Sequence, residues 1–402
     1  MTVEIRVVEG DDVLRALAPI SHYFGSAGAP PADHMELVTR VLPEGRMLAA
    51  FDGDAIVGGG GAFQFDLTIP GGPVPAAGVT VVGVLPTHRR RGVLRELMRT
   101  QLDEVHRRGE PLAILWASEG GIYGRFGYGL ASLCGDVEIH RAYGSYARPL
   151  EWSGQARLVP LAEALEPLQD VYDRVAAGTP GMLSRTPEWW RARLLADPEW
   201  RRSGRGEKAC TVLEVDGRPE AYALYRVNFS FENNISTGVT EVAEAVGASP
   251  AATAAIWRFL LDVDWMERVT AELLPLDHPL LLLIAEPNRL RFRVGDGLWV
   301  RLVDVGAALA VRSYDGDGDL VLAVADAFCP WNDARFSLDG SKTTAPPDLR
   351  LEVDALGSAY LGGFTVGQLA HAGRVEELTP GAVERADALF RTGRAPWCPE
   401  IF

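Results

Sequence analysis

The chain has 402 residues, room for roughly two to four domains, and its 47% hydrophobic and 23% charged residues exclude a disordered or fibrous polymer. Lysine and arginine total 39 against 54 aspartate and glutamate; at a formal charge of −15 a polyanionic nucleic acid is a poor partner and a cationic substrate is attracted. No run approaches the ~18 apolar residues of a membrane helix, since the oiliest stretch, Pro279 to Ala285, stops at Glu286 and Pro287; a soluble protein with no membrane partner is expected.

The opening Met1 to Arg6 has the alternation of a charged strand and lacks the basic-then-apolar pattern of a secretory signal, so the expected compartment is the cytoplasm. Residues 47–84 predict an antiparallel meander. Met47 to Phe51, the Asp52-Gly53 turn, a strand through Phe63 to Ile69, the Pro70-Gly71-Gly72 turn and a strand ending at Val84 follow one another. Leu94, Leu97, Met98, Leu102 and Val105 recur at helical spacing directly afterwards, and Leu112 to Trp116 makes the next strand.

A second unit repeats this plan. Cys210 to Val215, Tyr222 to Val227 and Gly238 to Val246 are predicted strands, Pro250 to Leu261 a helix and Val269 to Leu274 a further strand. Val239-Thr240-Glu241-Val242 matches Val79-Thr80-Val81-Val82. The repeat is degenerate, because Gly247-Ala248-Ser249-Pro250 stands where the first copy has Arg89-Arg90-Arg91-Gly92.

A third unit begins near Gly297. Its predicted strands are Leu298 to Val305, Leu320 to Ala325 and Leu349 to Val353, and its helices Ala355 to Leu361, Val366 to His371 and Gly381 to Arg391. The run Asp315-Gly316-Asp317-Gly318-Asp319 lacks the distal glutamate of a calcium loop and is expected to be a solvated hairpin turn between strands. Cys134, Cys210, Cys329 and Cys398 lie far apart and are expected as free thiols; with the histidines equally scattered, no metal site is expected.

The stretch Val81 to Leu94 carries the chemistry. A strand ends, a loop of arginines turns, and Gly92 opens a helix whose first N–H groups and positive dipole end face outward. Arg89 and Arg90 can add charge-assisted hydrogen bonds to phosphate oxygens, so the loop suits a diphosphate; a solvated basic helix start is the plainer alternative.

This strand, R-x-x-G-x loop and helix resemble the acetyl-coenzyme A motif of the GCN5-related N-acetyltransferases. Pro86 to Gly92, together with Ser118-Glu119-Gly120-Gly121-Ile122-Tyr123-Gly124-Arg125-Phe126-Gly127-Tyr128-Gly129, is similar to the Eis (enhanced intracellular survival) branch. Asp296 to Leu302 and Gly357 to Gly362 match that branch too, so the resemblance spans the chain. The generic motif would put a small residue at Leu94, and here it is not met.

The resemblance implies an α/β (α+β) protein. Two tandem GCN5-related acetyltransferase-like domains, 1–145 and a degenerate 146–290, would precede a sterol-carrier-like α+β domain, 291–402, that supplies the chain terminus to the active site. It implies acetyl-CoA as co-substrate with no metal, held by Val82, Val84, Arg89, Arg90, Gly92, Val93 and Ser118. It also implies a homo-hexamer acting on a small-molecule amine such as an aminoglycoside or polyamine. Lysines of proteins or peptides are alternative acceptors, and a lipid-binding module with a vestigial transferase half is a rival reading.

Tyr123 matches the general acid of the branch; a phenol with a reference pKa of about 10 stays protonated at neutral pH and can donate to a departing sulfur. Trp397-Cys398-Pro399-Glu400-Ile401-Phe402 is an unusually apolar end that wants burial. In the branch the chain ends in phenylalanine, whose α-carboxylate serves as base, which assigns Phe402 that role. The negative charge suggests an acidic acceptor wall, with Asp33, Glu36, Asp296 and Glu400 as its expected members.

Overall fold

In a computed structural model of the chain, residues 3–25, 36, 38–316 and 318–402 are described. The first stretch forms β1 (Glu4–Val7), α1 (Asp11–Ser21), β2 (Met47–Asp52), β3 (Ala55–Ile69), β4 (Gly72–Val84), α2 (Val93–Arg107), β5 (Leu112–Trp116), α3 (Gly120–Tyr123) and β6 (Gly129–Leu130). The Pro70-Gly71 turn joins the long β3–β4 hairpin, with Ile69 opposite Gly72. α2 forms because Val93, Leu97, Met98, Leu102 and Val105 share one buried stripe. Its Leu94, at the position where the generic motif asks for a small residue, is half-buried and packs against the same core.

The chain then builds β7 (Leu133–His140), β8 (Gln155–Leu158), α4 (Leu165–Ala176), β9 (Lys208–Val215), β10 (Arg218–Asn228), β11 (Phe231–Glu232), β12 (Ile235–Ser236), β13 (Gly238–Gly247), α5 (Pro250–Leu261), β14 (Met266–Pro275) and β15 (Arg293–Asp296). It continues with β16 (Leu298–Leu302), α6 (Val305–Val311), β17 (Val321–Ala325), β18 (Ala334–Ser337), β19 (Leu349–Glu352), α7 (Val353–Tyr360), α8 (Val366–His371), β20 (Val375–Glu377) and α9 (Ala382–Phe390).

These elements divide into two compact units, residues 1–132, 298–393 and 401–402 in one and 133–297 with 394–400 in the other. The first unit holds a seven-stranded sheet of order β1-β2-β3-β4-β5-β16-β6 and a four-stranded sheet of order β18-β17-β19-β20. The strand expected to open the third unit is therefore an interior strand of the first sheet, next to its β6 edge, Leu298–Leu302 lying antiparallel to Leu112–Trp116. It ends earlier than its apolar run suggested, because Asp304 caps α6 by accepting the Ala307 N–H at 2.9 Å. The acidic run after α6 leads into β17, so it is a helix-to-strand link and not a hairpin between strands; Asp315 pairs with Arg391 at 2.7 Å, and Asp317 lies outside the described residues.

The second unit is a seven-stranded sheet of order β15-β7-β14-β13-β10-β9-β8, with its core under α5 and α4. Here His278 is buried edge-on against Trp257, ring centroids 5.1 Å apart, and its Nδ1 accepts the Leu280 N–H. Burial pushes its pKa down from 6.5 to about 3. The folded state keeps the ring neutral while the unfolded chain takes up a proton below its ordinary pKa, so stability falls as pH drops from about 6.5 towards about 3. Between pH 7 and pH 5 urea unfolding should lose roughly 2 kcal/mol from this group, a loss that His278→Asn removes.

Candidate active site

β4 and β5 run parallel and paired from Ala76 opposite Leu112 to Gly78 opposite Ile114, where the ladder stops. Both strands continue, β4 to Val84 and β5 to Trp116, so a fork opens beyond Gly78. Its cause lies on the other edge of β4. Gly59 faces Gly83 and Gly61 faces Thr80, leaving Val81 and Val82 opposite Gly60 alone, and Val81 takes φ +49°. A bulge bends and twists its strand, and a β-branched residue in the left-handed region marks local strain of the kind that gathers at functional sites. Val82 and Val84 thus lie on a strand edge without a β5 partner, where backbone groups can bond an extended ligand arm.

At the far end of the fork, α2 starts without a side-chain cap; Gly92 precedes it at φ +84° and Arg90 at φ +60°. The positive end of the helix dipole and the first N–H groups of the helix, Val93 onward, are therefore open to an anion. Gly92 supplies a backbone conformation that side chains rarely adopt, with open space at its missing Cβ. Around it the basic residues are oriented. Arg89 donates through Nε to Tyr23 Oη at 2.7 Å and lies 4.6 Å above that ring, while the Tyr23 hydroxyl donates to the Val84 carbonyl at 2.6 Å. His88 and Arg91 both reach Asp52, at 3.2 and 3.5 Å, and Arg90 is exposed. Nothing local in the sequence marks Tyr23 or the bulge at Val81; aromatic stacking partners of an arginine have no fixed spacing.

Tyr123 ends α3 and is 9% exposed, in one cluster with Ala62, Ala77, Val79 and Leu102. Its ring meets Tyr128 edge-on at 6.0 Å. Burial first, then the Glu119 carboxylate, raises the phenol's pKa above its ordinary value of 10.0, which keeps it a proton donor. Phe402 is equally buried and packs edge-on against Phe65 at 5.2 Å. A side chain at Gly78 would run into the Phe65 ring and reach the Phe402 ring at 3.2 Å, so glycine is what lets the terminal ring lie on the strand there. Successive strand residues face opposite sides, so Ala77 and Val79 look towards Tyr123 and Gly78 towards Phe402. Strand alternation thus puts the core cluster that includes Tyr123 on one face of β4 and the Phe402 ring on the other, beside Gly78 where the pairing with β5 ends.

One acetyltransferase (GNAT) domain family matches residues 4–131, a second acetyltransferase (GNAT) domain family matches 181–302, and the sterol carrier protein domain family matches 305–399. The N-acetyltransferase Eis of Mycobacterium tuberculosis is 35% identical over 358 residues, 84% of each chain. The chain belongs to the Eis family of N-acetyltransferases. Across its full length it is also 43% identical to an N-acetyltransferase of Streptomyces avermitilis. The crystal structure of Eis1 from Mycobacterium abscessus superposes with a TM-score of 0.85 at 35% identity, covering 99% of this chain and 100% of that one. An acetyltransferase from Anabaena variabilis, at 21% identity and TM-score 0.85, shares the fold.

This Eis-family chain is therefore an enzyme with two acetyltransferase domains and a sterol-carrier-like domain, and acetyl-CoA is its co-substrate. The fork, the uncapped helix and the oriented Arg89 fit that co-substrate: an extended arm against strand backbone, a diphosphate on a helix start. Ser118 is exposed in the link between β5 and α3.

Of the acidic residues expected to line an acceptor wall, Glu36 belongs to the first unit and Asp296 and Glu400 to the second. Asp33 lies outside the described residues, and Glu36 is exposed and paired with Arg40. Asp296 ends β15 in the second unit, where its carbonyl accepts the Cys134 thiol at 3.2 Å. Glu400 is buried in the second unit; one oxygen accepts from Arg185 Nε at 2.7 Å and the other from Trp189 Nε1 at 2.6 Å. That carboxylate is spent on internal partners instead of facing solvent. Among the described residues no helix is long and apolar enough to cross a membrane.

Proposed function

We propose that this N-acetyltransferase moves the acetyl group of acetyl-CoA to a primary amine of a cationic, multi-amine small molecule such as an aminoglycoside or polyamine. The observation that carries the chemistry is the placement of the Tyr123 core cluster and the Phe402 ring on opposite faces of β4, beside Gly78 where the pairing with β5 ends. The amine nitrogen forms its bond to the acetyl carbon as the carbon–sulfur bond breaks. The α-carboxylate of Phe402 takes the amine's proton, directly or through water, and Tyr123 gives its proton to the leaving sulfur. Val82 and Val84 bind the pantetheine arm through their backbone, Ser118 borders it, and Arg89, Arg90, Gly92 and Val93 hold the diphosphate.

The acceptor class rests on the charge of −15, with Glu36 and Asp296 on exposed segments as contributors to the field. The homo-hexamer belongs to the same proposal; the exposed apolar side chains Phe229, Phe231, Ile235 and Trp265 are available for a contact between copies. Acetyl-CoA consumption measured with polyamines, aminoglycosides and lysine peptides at low and high salt tests the reading. Multi-amine acceptors should give the highest kcat/KM and lose it as salt screens the attraction. Peptide preference, or a salt-independent rate, would sink it.

Arg89→Ala should raise the KM for acetyl-CoA about tenfold with little change in kcat, since it removes a charge-assisted contact made equally before and during reaction. Initial rates against donor concentration check this, with Arg90→Ala as the companion variant.

A further inference from the structure

The second unit carries a fork like the first, and its contents differ. β13 and β14 pair in parallel from Gly238 opposite Met266 to Val242 opposite Ala271, then part while both strands continue. Here too the strand before the helix carries a bulge: Leu224 faces Glu244 and Tyr225 faces Val242, leaving Ala243 extra on β13. The helix start that follows is closed, however. Ser249 caps α5 by accepting the Ala252 N–H at 3.1 Å, so the diphosphate cradle of the first copy has no open counterpart.

The gap between the parted strands is walled by Val242 to Ala245 and Ala271 to Leu274 and covered by Trp397 and Pro399. We propose that this fork is a peptide-binding groove whose ligand is the chain's own Arg394–Glu400 segment, seated where a coenzyme arm would enter. Its recognition is specific at both ends. A second bulge, on β14, puts Leu273 at φ +59°, and the Leu273 carbonyl accepts the Trp397 indole N–H at 2.6 Å. The Trp397 backbone N–H donates to the Pro180 carbonyl at 2.8 Å, and the Ala395 N–H to Asp277 at 2.9 Å.

Three residues beyond Trp397, the Glu400 carboxylate meets a receptor built for it. Arg185 is fully buried, lies 3.8 Å over the Tyr172 ring, and gives Nη1 and Nη2 to Glu244 at 3.0 and 2.6 Å while keeping Nε for Glu400. Tyr222 donates to Glu244 at 2.5 Å, which fixes that carboxylate and, through it, the guanidinium. Buried charges hold together only through such mutual bonds, so a segment without a carboxylate at position 400 leaves Arg185 Nε and Trp189 Nε1 without the partner they have here. The ligand class is an extended peptide bearing an indole and, three residues on, a carboxylate.

A specific protease site inserted after the exposed Gly393 of the full chain tests this, because the cut is made in the folded enzyme. The severed segment should co-elute with the protein on gel filtration. It should exchange with a fluorescein-labelled synthetic peptide, Arg394 to Glu400 with an amide end, to one per chain. Peptides carrying Glu400→Gln or Trp397→Ala should compete at least about tenfold more weakly. Acetyl-CoA stoichiometry, measured calorimetrically before and after the segment is washed out, should not change. The cut also releases Phe402 from the first fork, so the same titration on a chain ended after Glu400 supplies the reference, and the difference between the two reads the second fork. Immediate loss of the severed segment, equal competition by the Gln peptide, or an added equivalent of acetyl-CoA after washing would overturn the proposal.

Discussion

Adding one glycine after Phe402 should lower kcat by about 100-fold or more, the usual worth of a positioned general base, while the KM for acetyl-CoA stays within about twofold. The extension keeps the Phe402 ring, with its contacts to Phe65 and Gly78, and converts its α-carboxylate into an amide that binds no proton at neutral pH. The new carboxylate sits one residue further out, about 3.5 Å along an extended chain, beyond the ~3 Å within which a base must meet the proton it removes. A free terminal carboxyl has a reference pKa of about 3.3–3.7, low for a base, yet beside the attacking amine it can take the proton and pass it on to solvent once the product leaves. Steady-state rates of the extended enzyme against both substrates check the split. An extended protein with full activity would remove the terminus from the mechanism.

Tyr123→Phe should cost about 100-fold or more in kcat for the complementary reason: the leaving thiolate must depart without a proton donor beside it. The substitution keeps the ring in its cluster with Ala77 and Val79 and its edge-on contact with Tyr128, so folding and donor affinity should hold. The pH profile gives the sharper reading. A general acid works in its protonated form, and burial places this phenol's pKa above 10.0, so kcat should show no alkaline fall from Tyr123 below about pH 10. An alkaline limb near pH 8 that disappears in the Phe variant would assign the proton to a group with a much lower pKa.

What was legible in the chain was local. The Asp52-Gly53 and Pro70-Gly71-Gly72 turns, the stripe of Leu97, Leu102 and Val105, and the helix start at Gly92 follow from spacing and backbone preference over a few residues, and the structure has them at those places. What escaped was set by distant partners. Glu400 reads as one more acidic residue near a chain end, and only the fold brings Arg185, 215 positions away, to its carboxylate. Arg89 was visible as a basic loop residue, but its clamp, Tyr23, lies 66 positions upstream. The bulge at Val81 puts a valine where its own preference argues against it, so the fork that the bulge opens has no signature in the residue that makes it.

The membership of Leu298–Leu302 in the first sheet bears on how the enzyme is made. That strand lies between β5 and β6, whose residues precede it by well over a hundred positions. On the ribosome, at about 5–20 residues per second, β5 therefore waits with an unpaired edge for many seconds while the whole second unit is synthesised. An open edge of buried, apolar residues is a template for pairing with other chains. The insert that separates the two parts has its own seven-stranded sheet and can condense while the first one stays incomplete. A chaperone that covers β5 should raise the soluble yield and slowed translation should lower it, and an N-terminal fragment ending before Leu298 should aggregate where the full chain does not.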